Sequence, residues 1–61
     1  MIKEMIGTIN YALCEDEMTI ECAYALLKSL SKLTGKKYEI LHRRVAFKGD
    51  DGLLHDAWVY A

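Results

Sequence analysis

The segment from Thr19 to Gly35, TIECAYALLKSLSKLTG, constrains the chain more than any other, because both ends of a helix are written into it. The Thr19 hydroxyl is suited to accept from a free amide of the first turn, and Glu21 sets negative charge at the positive end of the helix dipole. Gly35 suits the left-handed conformation that closes a helix, while Lys28, Lys32, Lys36 and Lys37 gather at the negative end. At ~100° per residue, Ile20, Cys22, Ala23, Leu26, Leu27, Leu30 and Leu33 fall in one arc of roughly 160°, with Glu21, Ala25, Lys28, Ser29 and Lys32 opposite. The pattern predicts an amphipathic helix whose seven-residue apolar arc faces a core.

Such a helix needs a surface to pack on, and 61 residues limit the answer to one small domain, 1–61. At this size folding buries only about 60% of the surface that the unfolded chain exposes, so something is expected to supplement the core. The chain is 52% apolar, yet the apolar residues are interrupted by charges and no run approaches the ~20 needed to span a membrane. The opening residues MIKEMIG lack the uninterrupted apolar stretch of a secretory leader, and the expectation is a cytoplasmic protein without membrane association. Its two cysteines are read as reduced, Cys22 lying at the edge of the helical arc as a small hydrophobe. A net charge of -1 supplies no overall attraction to a polyanion.

Upstream, Ile2, Met5, Ile6, Ile9, Ala12 and Leu13 fall within about 120° of helical arc, leaving Lys3, Glu4, Asn10 and Tyr11 outside it. This favours a first helix over the alternative, a strand, which Gly7 and the alternation in IGTINYAL would support. The acidic run Glu15, Asp16, Glu17 then makes the turn of a helical hairpin, since carboxylates are favourable just before the next helix start. Met18, one place before the cap, is placed to pack back on Ala23 or Tyr24.

After Gly35 the period changes from 3.6 to 2. KYEILHRRVAF and LLHDAWVY flank KGDDG, which reads as a β-hairpin with a turn over Asp50 and Asp51 and Gly52 left-handed. On that register Gly49 faces Leu53, Val45 faces Ala57, Arg44 faces Trp58 and His42 faces Tyr60. Leu41, Val45, Phe47, Ala57 and Val59 then share the face given to the helices, and Ile40, His42, Arg44, Leu54, Asp56, Trp58 and Tyr60 the other. The expected fold is α+β, two antiparallel helices on a C-terminal β-hairpin in the order α-α-β-β, with β-α-β-β as the alternative.

Cys14, Cys22, His42 and His55 are zinc-ligand types, but they lack the closely spaced pairs that let a short loop hold one ion, so no metal or other cofactor is expected. His55 and Asp56 adjoin on a strand and point to opposite faces, which argues against their orienting one another beside a cysteine nucleophile; no enzymatic activity is expected. The basic cluster of His42, Arg43, Arg44, Lys36, Lys37 and Lys48 forms no continuous stripe. Two aromatics and two aliphatics among charges on the second hairpin face resemble an interface, giving His42, Arg44, Leu54, Asp56, Trp58 and Tyr60 as partner-binding candidates. The functional expectation is a non-enzymatic interaction module, a regulator or inhibitor of the kind phages and mobile elements encode, which covers a surface of a larger protein. A nucleic-acid-binding regulator using Arg44, Trp58 and Tyr60 is the alternative. The strand edge from Leu53 to Tyr60, without Pro or Lys, adds an expectation of homodimerisation through the hairpin.

Overall fold

A computed structural model describes all residues 1–61. Two helices, α1 (Ile2–Cys14) and α2 (Ile20–Thr34), precede three strands, β1 (Lys37–Leu41), β2 (Arg44–Lys48) and β3 (Leu54–Asp56). The strands form one antiparallel sheet in the order β1-β2-β3, with α1 lying on β2 and α2 on β1. The class is α+β as expected, and the first element is the helix of the two alternatives.

Both helices end as their residues dictate. The Thr19 hydroxyl accepts from the Cys22 amide at 3.1 Å, and Gly35 closes α2 at φ 77° with its own amide on the Ser31 carbonyl. At the end of α1, Glu17 donates to Ala12 and Asp16 to Leu13, a Schellman pair with Asp16 rather than glycine in the left-handed position at φ 57°. Gly7, unfavourable in a helix by its own propensity, has a tertiary cause. A Cβ there would lie 3.1 Å from the Trp58 indole nitrogen, so a larger residue would push the ring outward by a few tenths of an ångström.

The sheet departs from the expected hairpin in one place with several consequences. The run KYEILHRRVAF is two strands, broken by a tight turn at His42 and Arg43, both left-handed at φ 51° and 60°. Two consecutive positive φ values make the type I′ geometry, whose twist suits a two-residue hairpin but whose usual residues are Asn, Asp and Gly. Here Arg43 compensates: its Nε donates to the Leu13 carbonyl at 2.6 Å, satisfying an end of α1, and its Nη2 lies 3.2 Å from the Asp16 carboxylate. The reversal pairs Ile40 with Val45, so Ile40 belongs to the helix face and not to the outer face assigned from sequence. His42 sits in the turn and faces nothing on β3.

The second turn is as read: Gly52 donates to Gly49 across Asp50 and Asp51, Gly52 is left-handed at φ 80°, and β2 pairs β3 in the expected register. That register ends early. After Asp56 the chain turns, Tyr60 donating to the Asp56 carbonyl as in a helix, so Trp58, Val59 and Tyr60 are not strand residues. The Val45 amide is the group this leaves without a ladder partner, and Asn10 of α1 accepts from it at 2.7 Å through its side-chain oxygen. Asn10, placed outside the buried arc by the sequence reading, is the one buried polar side chain.

The core comprises Ile6, Ile9 and Leu13 of α1, Ala23, Leu27 and Leu30 of α2, and Tyr38, Val45 and Ala57, with Ile2, Met18, Ile40 and Phe47 packed around it. Tyr38 keeps its phenol satisfied on the Thr34 hydroxyl, which in turn donates to the Leu30 carbonyl. Leu41 and Val59 are exposed, against the expectation that they face the helices, because the His42–Arg43 turn pairs Leu41 with Arg44 on the outer face and Val59 follows the end of β3. The buried stripe of α2 is also narrower than its seven-residue arc: Ile20, Cys22, Leu26 and Leu33 are exposed. We expect Asn10→Ala to cost about 1 to 3 kcal/mol by leaving the Val45 amide unpaired, and Leu27→Ala about 2 to 5 kcal/mol. Leu41→Ala should cost no more than about 1 kcal/mol. Urea midpoints at constant slope test the ranking; a Leu41→Ala loss as large as that of Leu27→Ala would contradict the assigned core.

Candidate functional site

Of the six residues singled out from sequence, three are brought together. The Asp56 carboxylate closes the C-terminal turn by accepting from the Trp58 and Val59 amides at 2.9 and 3.1 Å, as an N-cap does. Arg44 reaches the same carboxylate through Nη2 at 2.9 Å and Nε at 3.2 Å. Those amides, led by Val59, and the Arg44 guanidinium hold the Asp56 carboxyl below its ordinary range. Trp58 lies beyond, its ring covered by the Lys3 ammonium at 4.2 Å from the centroid, and a shallow hollow is lined by Gly7, Asn10, Arg44 and Trp58. These polar groups satisfy one another: Arg44 is committed to Asp56, and a base stacking on Trp58 would first have to displace Lys3.

The other three lie elsewhere. His42 is on the β1–β2 turn, and Leu54 is on the outer face of the sheet. By register that face also carries Lys37, Glu39 and Leu41 of β1, Arg44, Ala46 and Lys48 of β2, and Asp56. Charges alternate with small or isolated apolar groups there, the composition of a solvated face rather than of an interface. Tyr60 folds back beside the helix-side residues of β2 and β3. Its ring stands edge-on to Phe47, with centroids 6.3 Å apart, and to His55 at 5.4 Å, while Phe47 and His55 lie 5.5 Å apart. The sequence reading missed this cluster because it kept Tyr60 on the strand, on the opposite face from Phe47.

The three rings and the turn residues Gly49, Asp50 and Asp51 line an open, largely apolar groove of about 340 Å³. The Asp51 carboxylate caps the Leu53 amide at 3.0 Å and lies 3.2 Å from His55 Nε2. The Leu53 amide first and His55 second hold the Asp51 carboxyl below its ordinary range. The Lys36 ammonium also lies over the Phe47 ring, at 4.5 Å from its centroid. Cys14 and Cys22 are free and exposed on different helices, remote in sequence from His42 and His55 on the sheet. No helix is long and apolar enough to cross a membrane.

The sheet edges differ from the expected open strand. β3 is three residues long and ends in the turn, while the Ile40 amide of β1 donates to the Tyr24 hydroxyl of α2 at 3.1 Å. A short edge and an occupied edge both discourage strand addition. Comparison of the chain with protein-family models, with curated proteins and with solved structures returns no match.

The turn at Asp56 has a pH dependence of defined sign. Because the carboxyl is held below its ordinary value in the folded state, its contribution is present above pH ~4, the unfolded value, and is lost as pH falls below it. A Trp58 emission change is expected below about pH 4, before global unfolding by circular dichroism. In Asp56→Ala the step should vanish and about 0.5 to 2 kcal/mol of stability be lost. An unchanged acid titration in that variant would refute the assignment.

Proposed function

We propose that the protein is a small non-enzymatic protein–protein interaction module, a regulator or inhibitor that works by covering a surface of a larger protein. The observation that carries this reading is the groove lined by Phe47, His55 and Tyr60. Tyr60, 61% exposed, offers a rigid amphipathic ring that a partner can bury at small entropic cost. Leu53 and Val59 are also exposed in the adjoining turns, and Asp50 and Asp51 give the groove rim negative charge. A complementary partner would offer an apolar anchor flanked by basic groups.

The nucleic-acid alternative has less behind it. Its three residues, Arg44, Trp58 and Tyr60, are split between the Asp56 turn and the Phe47 cluster, and the groove rim is acidic where a phosphate backbone requires cations. Affinity capture from the native source is expected to yield one dominant protein that is lost with Tyr60→Ala while circular dichroism is unchanged. Recovery only of nucleic acid, released steeply between ~50 and ~200 mM salt, would replace this reading with the alternative. Equal recovery of the protein with Tyr60→Ala would remove the groove from it.

A further inference from the structure

The helices carry more apolar surface than the sheet can cover. Facing the sheet are Ile2, Ile6, Ile9 and Leu13 on α1, and Ala23, Leu27, Leu30 and Thr34 on α2, each set spaced four, three, four. Rotated away from the sheet, a second stripe on each helix repeats that spacing: Met1, Met5, Thr8 and Ala12 on one, Cys22, Leu26, Ser29 and Leu33 on the other. This is the heptad period of a helix–helix seam. In a chain that is 28% charged, none of these eight side chains is charged; the Met1 ammonium pairs with Glu4 at 3.0 Å, and Lys3, Glu4, Glu21, Lys28 and Lys32 all fall outside the second stripes.

The two stripes flank a groove of about 270 Å³ lined by Met5, Thr8, Ile9, Leu26, Ser29 and Leu30, over which no other part of the chain passes. Met5 is 40%, Leu26 46% and Leu33 74% exposed. The five-residue connection between α1 and α2 makes the helices antiparallel, so by helical rise Glu4 falls near the level of Lys32, each on the side of its stripe away from the sheet-facing residues. Helices of 13 and 15 residues are roughly 20 Å long, and at ~10 Å spacing they present a face of about 20 by 20 Å. That is a projected area of about 400 Å², roughly half the ~800 Å² per partner of a standard interface and suited to a weak, concentration-dependent dimer.

We propose that this face is covered by a second copy of the chain, making a two-fold four-helix dimer with the two sheets outermost. A two-fold axis along the groove sets α1 of one copy over α2 of the other. Glu4 then meets Lys32 of the second copy at both rims, and Met5 stands over the hollow at Ser29. Leu26 stands over Thr8 and Ala12, and Met5 reaches on to Leu33, so the seam sets large side chains over the small ones at Ser29, Thr8 and Ala12 and closes on a Met–Leu contact at its end. An axis across the helices would instead bring α1 against α1, setting Glu4 beside Glu15. The dimer uses neither sheet edge nor the Tyr60 groove, and it stands independently of the function proposed above.

Sedimentation equilibrium from ~1 to ~300 μM, spanning weak to moderate dimer affinities, is expected to give twice the 7.0 kDa chain mass at the upper end. Leu26→Glu and Leu33→Glu should sediment as monomers with unchanged circular dichroism. Glu4→Lys and Lys32→Glu should each weaken association about five-fold, and the double charge exchange should restore it. Isotope-filtered spectra of a mixed-label sample, which need no variant, should show Met5 methyl contacts to Leu33 of the other copy. A monomeric mass throughout the range would overturn the proposal, as would a dimer that survives both leucine variants or lacks the Met5 contact.

Discussion

The amide of Val45 sits where the sheet runs out of strand. Its residue is fully buried and its carbonyl is paired with Ala57, but the chain has already turned away after Asp56, so no backbone oxygen remains for the amide. An unpaired amide at that depth would cost about 1 to 3 kcal/mol, a large part of what a core of nine buried residues supports. Asn10 supplies the oxygen from α1. The bond therefore does three things at once: it completes the sheet, fixes α1 over β2 in one register, and frees the last residues from ladder duty.

Because the last residues are free, the C-terminal turn can serve two surfaces. Trp58 closes against Gly7 and Lys3 on α1, while Tyr60 turns the other way and joins Phe47 and His55. Had β3 continued to residue 60, neither arrangement would form, and the aromatic groove would not exist. Asp56 is the switch point, its carboxylate holding two turn amides and the Arg44 guanidinium together.

What was legible in the sequence is what is coded locally. Thr19, Gly35 and the Gly-Asp-Asp-Gly turn act on backbone groups within four residues of themselves, so the ends of α2 and the β2–β3 register could be read before any fold was known. The turn at His42 and Arg43 could not, since neither residue favours positive φ and its support comes from Leu13 and Asp16, some 30 residues away. Asn10 left a fainter signal: it stands four places after Ile6 and three before Leu13, inside the geometry of the buried stripe. The arc of roughly 160° on α2 was wider than one interface needs, and its excess, Cys22, Leu26 and Leu33, proved to be the uncovered side. Of the site, Arg44 and Asp56 were placed on one face by register, whereas Trp58 comes beside them through the turn after Asp56 and not by the cross-strand pairing read from sequence, and His55 and Phe47 required the fold-back of Tyr60.

The borrowed support of the His42–Arg43 turn also bears on the order in which the chain assembles. Two left-handed residues without glycine make a hairpin that loses more than it gains as an isolated peptide, so β1 and β2 have little means of pairing before α1 presents its last carbonyls to Arg43. The Gly-Asp-Asp-Gly turn carries no such debt and can close early. Folding should thus run from the two ends inward, the helical hairpin and the β2–β3 hairpin forming separately, with β1 locking in last as the guanidinium reaches the end of α1.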